Sequence, residues 1–179
     1  MPKEDGRAAL EVHQAACRQC HVCADQGIIP EASPTFQGVW GAPFFLVGQA
    51  PGPAERETRQ PFSGRAGKEL DRWMIRAGFK DRDEFRRLTY IAALMRCFPG
   101  RNPQNTGDLR PPPAAVANCA HWLDAELKLL RPRMIIFGLR SFSSASSQCA
   151  QLATAAGGGR KSPVFVRLRP GKHRINAAM

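Results

Sequence analysis

A chain of 179 residues, 43% hydrophobic and 23% charged, is long enough for one sizeable core and reads as a single domain by length. No apolar run approaches the roughly 20 residues that cross a bilayer, and the polar start MPKEDGRAALEVHQ lacks the apolar segment of a secretory leader. The expectation is a soluble cytoplasmic protein with no membrane partner, and the net charge of +11 points to a polyanion such as nucleic acid.

The charge is unevenly placed. All 15 acidic residues lie at or before Glu126 with 16 of the 26 Lys and Arg, and the remaining 10 basic residues have no acid among them. The excess therefore belongs to the end of the chain.

In chain order, the first feature is C-x2-C-x2-C at Cys17, Cys20 and Cys23, in a segment without strand or long helix periodicity. Cys97 and Cys119 follow much later. In a reducing compartment such thiols suggest metal or redox chemistry before disulfides. Four thiolates suit zinc or an iron–sulfur cluster. Spacing alone slightly favours zinc, and leaves two buried thiols as the simpler reading of Cys97 and Cys119.

Phe44 to Gly48 is a short apolar run ending in glycine, which predicts a strand buried on both faces of a parallel sheet. Gln49, Ala50, Pro51, Gly52 and Pro53 are expected to stop any helix. A second turn cluster, Pro61-Phe62-Ser63-Gly64, precedes a helical pattern starting near Gly67. In an open α/β sheet the loop at the carboxyl end of a strand is where ligands bind. Leu70, Trp73, Met74 and Ala77 then mark an amphipathic helix capped by Gly78. Its first turn would point N–H groups at the loop, which suits a phosphate or developing negative charge.

Asp81 to Arg87 reads as a short helical turn and Leu88 to Met95 as a second buried strand. Pro111-Pro112-Pro113 introduces a helix whose stripe is Val116, Cys119, Ala120, Leu123, Leu127 and Leu130. Met134 to Phe137 is a third strand. Alternating strands and helices predict an α/β fold with helices on both faces of a parallel sheet. The chain divides into an α/β region over 1–138 and a basic tail over 139–179. The tail is acid-free and rich in Ser, Ala and Gly, with one strand expected at Val164 to Leu168. Its composition would permit disorder or a nucleic-acid arm. The abrupt loss of acids and periodicity favours a shifted reading frame.

The loop resembles motif one of the iron–sulfur (family 4) uracil-DNA glycosylases, GEAPG, an acidic residue, then G-x-PF-x-G-x-AG. Here it reads Gly48-Gln49-Ala50-Pro51-Gly52, Glu55, Pro61-Phe62, Gly64 and Ala66-Gly67. Gln49 replaces the glutamate, and Arg59 replaces the glycine before PF. The resemblance covers roughly Cys17 to Gly138. It implies a three-layer α/β/α sandwich with a central parallel sheet, here with a degenerate or truncated C-terminal part. It implies a 4Fe-4S cluster held by Cys17, Cys20, Cys97 and Cys119, with zinc the alternative and Cys23 a spare thiol.

The implied activity is hydrolysis of the N-glycosidic bond of uracil or a related damaged base in DNA, by a monomer associated with the nucleoid. Phe62 would stack on a flipped base, and the backbone of Gln49 and Ala50 would contact it. Glu55 would orient or activate water, with Gln49 at most positioning it. Gly48, Pro51, Gly52, Gly64 and Gly67 would shape the loop, and the glycines among them would present N–H groups to phosphate. Two further departures bear on rate. Ala93 stands where Y-x-T-N-x-x-K-C has its asparagine, and no HPS occurs; His173, in GKHRI, lacks the proline and serine. Weak activity is the expectation. The rival is a non-catalytic member of the fold that binds DNA or damaged bases. A phosphate-binding nucleotide protein is disfavoured, because G-x-G-x-x-G and G-x4-G-K-[ST] are both missing.

Overall fold

The computed structural model describes residues 4–104 and 106–138, together with the backbone of the strands Val164–Arg167 and Asn176–Ala178. The question of the tail's origin, and His173, lie outside the described residues.

Three apolar runs form the centre of the sheet: β1 (Phe44–Gly48), β2 (Thr89–Ala93) and β3 (Met134–Phe137). β1 lies between the other two and is parallel to both, with Gly48 opposite Ala93 on one side and Val47 opposite Phe137 on the other. β4 (Val164–Arg167) continues the sheet parallel to β3, and β5 (Asn176–Ala178) closes it antiparallel, giving the order β2-β1-β3-β4-β5. The expected strand in the tail is thus present, one residue shorter.

The three central strands are largely apolar because both faces are covered. Phe45, Val47, Tyr90, Ala92, Ile135 and Phe137 face one layer, built by α1 (Glu4–Arg18) and α6 (Pro113–Leu130). Leu46, Ile91 and Ile136 face the other, where Leu70 and Met74 of α4 (Arg65–Arg76) and Phe85 of α5 (Arg82–Leu88) pack. The α/β/α sandwich is therefore as the sequence implies. After β1 the chain moves to β2 on one side, then crosses to β3 on the other. That reversal leaves a crevice at the carboxyl ends of β1 and β3.

Several local expectations need correcting. α1 occupies the segment in which no long helix was anticipated, because only Leu10 and Cys17 of its length are buried, too thin a stripe to read. Proline does not prevent a helix at 53. Gly52 is the N-cap and Pro53 the first residue of α3 (Pro53–Thr58), where a missing N–H costs nothing. α2 (Val22–Asp25) is a single turn beside the cysteines. Among the described residues no helix is long and apolar enough to cross a membrane.

One polar cluster crosses the α1/α6 layer. Glu126 of α6 is fully buried; it accepts from Arg96 Nη2 at 2.6 Å and from Tyr90 Oη at 2.9 Å, and His13 Nε2 of α1 lies 3.6 Å away. Burial opposes the Arg96 charge, but Glu126, Cys17 and Tyr90 outweigh it and hold the guanidinium pKa above its usual value. Removing one partner of a buried pair leaves an uncompensated charge and costs about 3–5 kcal/mol. Glu126→Ala should lower the unfolding free energy in urea by that amount, and Glu126→Leu combined with Arg96→Met should recover most of it. A loss below about 1 kcal/mol would show that the pair contributes little.

Candidate active site

The floor of the crevice is the carboxyl edge of the sheet. The parallel ladder runs on past the strand ends, with Leu94 N–H donating to Gly48 O (3.0 Å), Met95 N–H to Gln49 O (3.2 Å) and Gly138 N–H to Val47 O (3.0 Å). These bonds bring Gly48, Gln49, Ala93 and Gly138 together. A Cβ on Gly48 would lie 3.6 Å from Phe62 Cζ and 3.8 Å from Ala93 Cβ, and one on Gly138 would lie 3.9 Å from the same Phe62 atom. The tip of the Phe62 ring therefore stands over the crevice between β1 and β3.

The wall is the loop after β1, and Glu55 braces it. Buried within α3, Glu55 accepts from Gly52 N–H at 3.0 Å through Oε2 and from Gly64 N–H at 3.1 Å through Oε1. One carboxylate thus ties together the two turn clusters that bracket it in sequence, and both oxygens are engaged. Pro51 is buried behind it, and Gln49 and Ala50 are half-buried.

Phe62 is held under strain. Its φ is +54°, in the left-handed region that a bulky residue rarely enters. Two contacts maintain it. Arg86, buried on α5, donates from Nη1 to Pro61 O and from Nη2 to Phe62 O, both at 2.9 Å, with Asp71 3.9 Å from Nη2. Burial lowers the Arg86 pKa and the neighbouring Arg82 adds to this, while Asp71 opposes it. On the other side the Phe62 carbonyl presses against Gly67, where a Cβ would lie 1.7 Å from the oxygen. Arg59, at the C-cap of α3, also has a left-handed φ of +57°. This is the position at which the resembled motif carries glycine, and the backbone shape explains that preference.

Of the residues singled out in the sequence, Gly48, Gln49, Ala93 and Phe62 meet at the crevice, while Glu55, Gly52, Gly64 and Gly67 build its wall. Sequence reasoning missed Arg86, whose helix read only as charged. It also missed Asp108, whose Oδ2 would be 3.5 Å from a Cβ on Gly52. That contact comes from the long loop before α6 and has no local signal.

Ala50 connects this wall to a second feature, packing against an apolar patch that contains Cys23, Ile29, Met95, Cys97 and Ala115. Cys17 closes α1, Cys20 follows it, Cys23 lies in α2, Cys97 follows β2, and Cys119 is on α6. All five are free thiols, and four are buried. Burial pushes the Cys17 thiol up to about 12 and the Cys97 thiol up to about 11, and raises Cys119. Cys20 and Cys119 add to the rise at Cys17; Cys119, Cys23 and Cys20 add to it at Cys97. The sulfurs from these separate segments are thus near enough to repel one another as thiolates, a charge that a metal centre would neutralise. Among the described residues no three His, Cys, Asp or Glu side chains are close enough to hold a single metal ion.

Residues 36–155 match the uracil DNA glycosylase superfamily. The type-4 uracil-DNA glycosylase of Thermotoga maritima is 32% identical over 91 residues, 51% of this chain and 42% of that relative. That of Archaeoglobus fulgidus is 32% identical over 95 residues, 53% of this chain and 42% of the relative. That of Pyrobaculum aerophilum is 33% identical over 91 residues, 51% and 41% of the two chains. The matched stretch spans about two fifths of the length of these relatives.

A glycine-to-alanine change inside a helix usually stabilises by roughly 0.5–1 kcal/mol. At Gly67 the sign should reverse. The added methyl group would meet the Phe62 carbonyl, so Gly67→Ala should destabilise by about 1–3 kcal/mol, the usual range for overpacking. Urea unfolding measures this, and a stabilised variant would show that the loop yields freely.

Proposed function

The chain belongs to the uracil DNA glycosylase superfamily, and from that premise we propose that it binds DNA containing uracil or a related damaged base and hydrolyses the N-glycosidic bond slowly. The observation that carries the reading is the Phe62 ring held over the carboxyl ends of β1 and β3 by Arg86 and Gly67. A base within a duplex must leave the stack to reach such a crevice, and an aromatic face there replaces the stacking it loses.

The roles divide as follows. Phe62 supplies the stacking surface, and the backbone of Gln49 and Ala50 contacts the base edge. Glu55 is a positioning residue. Its two bonds to Gly52 and Gly64 hold the loop, and the second lone pair on each oxygen can still orient a water. In the reaction the water's hydroxyl joins the sugar carbon, the carbon–nitrogen bond breaks with its electron pair leaving on the base, and the remaining proton ends on that base. Gln49 is an amide and cannot accept that water's proton at neutral pH. Loop N–H groups at Gly52 and Gly64 are occupied by Glu55, so phosphate contact falls to the remaining loop amides and to Arg and Lys, with strong salt dependence.

The cysteines suit a 4Fe-4S cluster, which would tie the amino-terminal helices to the end of β2 and to α6; soft thiolates are its usual ligands. When bound, it would act as a structural centre beside the loop, and none of the steps above passes through it.

A second reading is a non-catalytic binder of damaged DNA. It is favoured by Ala93, which is buried directly opposite Gly48 in the ladder and offers no amide to the base edge. A site built to hydrogen-bond a polar edge loses discrimination without it.

Release of uracil from a labelled single-stranded oligonucleotide decides between them. The wild-type chain should excise slowly, and Gln49→Glu with Ala93→Asn should raise the rate on the order of 10²-fold, the scale of one positioned polar group. Phe62→Ala should weaken binding of uracil-containing single strands by about 1–3 kcal/mol with little change in melting temperature. Binding without release by either protein would establish the non-catalytic reading. A large fall in melting temperature without a binding change would make Phe62 a core residue.

A further inference from the structure

The run C-x2-C-x2-C contains two overlapping C-x2-C pairs, Cys17 with Cys20 and Cys20 with Cys23, and the fold treats their outer members differently. Cys17 is fully buried in the layer between the sheet and α1/α6, among Leu10, Phe36, Tyr90 and Leu127, close to the Arg96–Glu126 pair. Cys23 lies in the separate patch that also holds Cys97, with Met95, Ile29 and Ala115 around them.

Hydrogen bonds to sulfur follow the same division. Ser33 N–H donates to Cys97 Sγ at 3.3 Å, and Asn118 Nδ2 lies 3.6 Å from Cys23 Sγ. The backbone N–H of Arg96 donates to the Cys119 sulfur. Asn118 also donates to Gln26 Oε1 at 2.7 Å, which joins α2 to α6 at the residue next to Cys119. Among the described residues no donor is aimed at the sulfur of Cys17 or of Cys20, so the donors separate the two outer members, Cys17 and Cys23, and leave the shared Cys20 common to both pairs. N–H groups directed at sulfur support and tune cluster thiolates, and their placement marks which sulfurs are prepared to carry charge. Cys97 and Cys119 are each also within electrostatic range of both Cys20 and Cys23, whereas Cys17 is within range of Cys20 and Cys119 but not of Cys97.

We propose that Cys20, Cys23, Cys97 and Cys119 are the metal-bearing thiols and that Cys17 is a packing residue of the core. This rests on the thiolate-cluster reading above, and it exchanges the roles that the family resemblance gives to Cys17 and Cys23. The C-x2-C spacing is kept, moved three residues along.

The test is iron and sulfide content, with the visible sulfur-to-iron absorption, of the full chain purified anaerobically as wild type, Cys17→Ala and Cys23→Ala. Circular dichroism reports whether each is folded. Wild type and Cys17→Ala should carry the same iron per chain, about four on the cubane reading, while Cys23→Ala should lose most of it and the absorption with it. Should Cys17→Ala fail to fold, Cys17→Val fills the site and is read in the same way. Iron lost from a folded Cys17 variant, or kept by Cys23→Ala, overturns the assignment. A wild-type chain free of iron would instead defeat the cluster reading.

Discussion

The buried carboxylate of Glu126 is the constraint on which the rest of the arrangement depends. It accepts from Arg96 at the end of β2 and from Tyr90 within β2, and His13 of α1 lies beside it. Three segments that have no covalent reason to stay together meet on one charge. Arg96 precedes Cys97 in the chain, Cys119 stands two helical turns before Glu126 on α6, and α1 delivers the amino-terminal thiols. Displacing any of the three would expose an unpaired charge to an apolar layer, so the cysteine-bearing segments have one low-energy arrangement. Such pairs contribute less to net stability than their directness suggests, and their best-supported use is to select one register over others.

The crevice is built on a different plan. Its floor is backbone, set by the ladder between β1, β2 and β3 and by the bonds that extend it. Its wall is a proline- and glycine-rich loop with little intrinsic order, held by one acid and one base. Glu55 closes the loop on itself, and Arg86 fastens Pro61 and Phe62 to α5. The left-handed backbone at Phe62 persists because both sides over-determine it, the guanidinium on one and the bare Gly67 on the other. Strain of about 1–3 kcal/mol at such a residue is common at ligand sites, and here the ring also packs against the cluster of Leu46, Leu70 and Met74.

The sheet and its helices were legible because period speaks plainly there. Phe44–Gly48 and Met134–Phe137 fall where the apolar runs lie, and α6 follows its stripe from Cys119 to Leu130. The motif residues gathered as their spacing implies, since the loop is local and the strands that bring Ala93 and Gly138 to it are parallel neighbours. Illegible features are those decided by contacts distant in sequence. Arg86 reads as one charge among several until its carbonyl partners, some 25 residues earlier, are in place. Glu55 reads as a free acid until two glycine amides claim its oxygens. Three evenly spaced cysteines cannot reveal which sulfur faces the core, because that depends on where α1 docks. The same docking hides α1 itself, whose buried residues are too few to give a period.

The ladder bonds beyond the strand ends also govern how the crevice opens. The amides of Leu94, Met95 and Gly138 are bonded to carbonyls of the central strand and its extension, so their opening is tied to the parallel ladder. The amides of Gly52 and Gly64 answer to a single carboxylate on a six-residue helix, and that contact can be lost by a local fluctuation. The floor is therefore tied to the sheet, while the wall rests on contacts that a local fluctuation can break. A change in the wall would therefore alter access to the crevice without disturbing the fold beneath it.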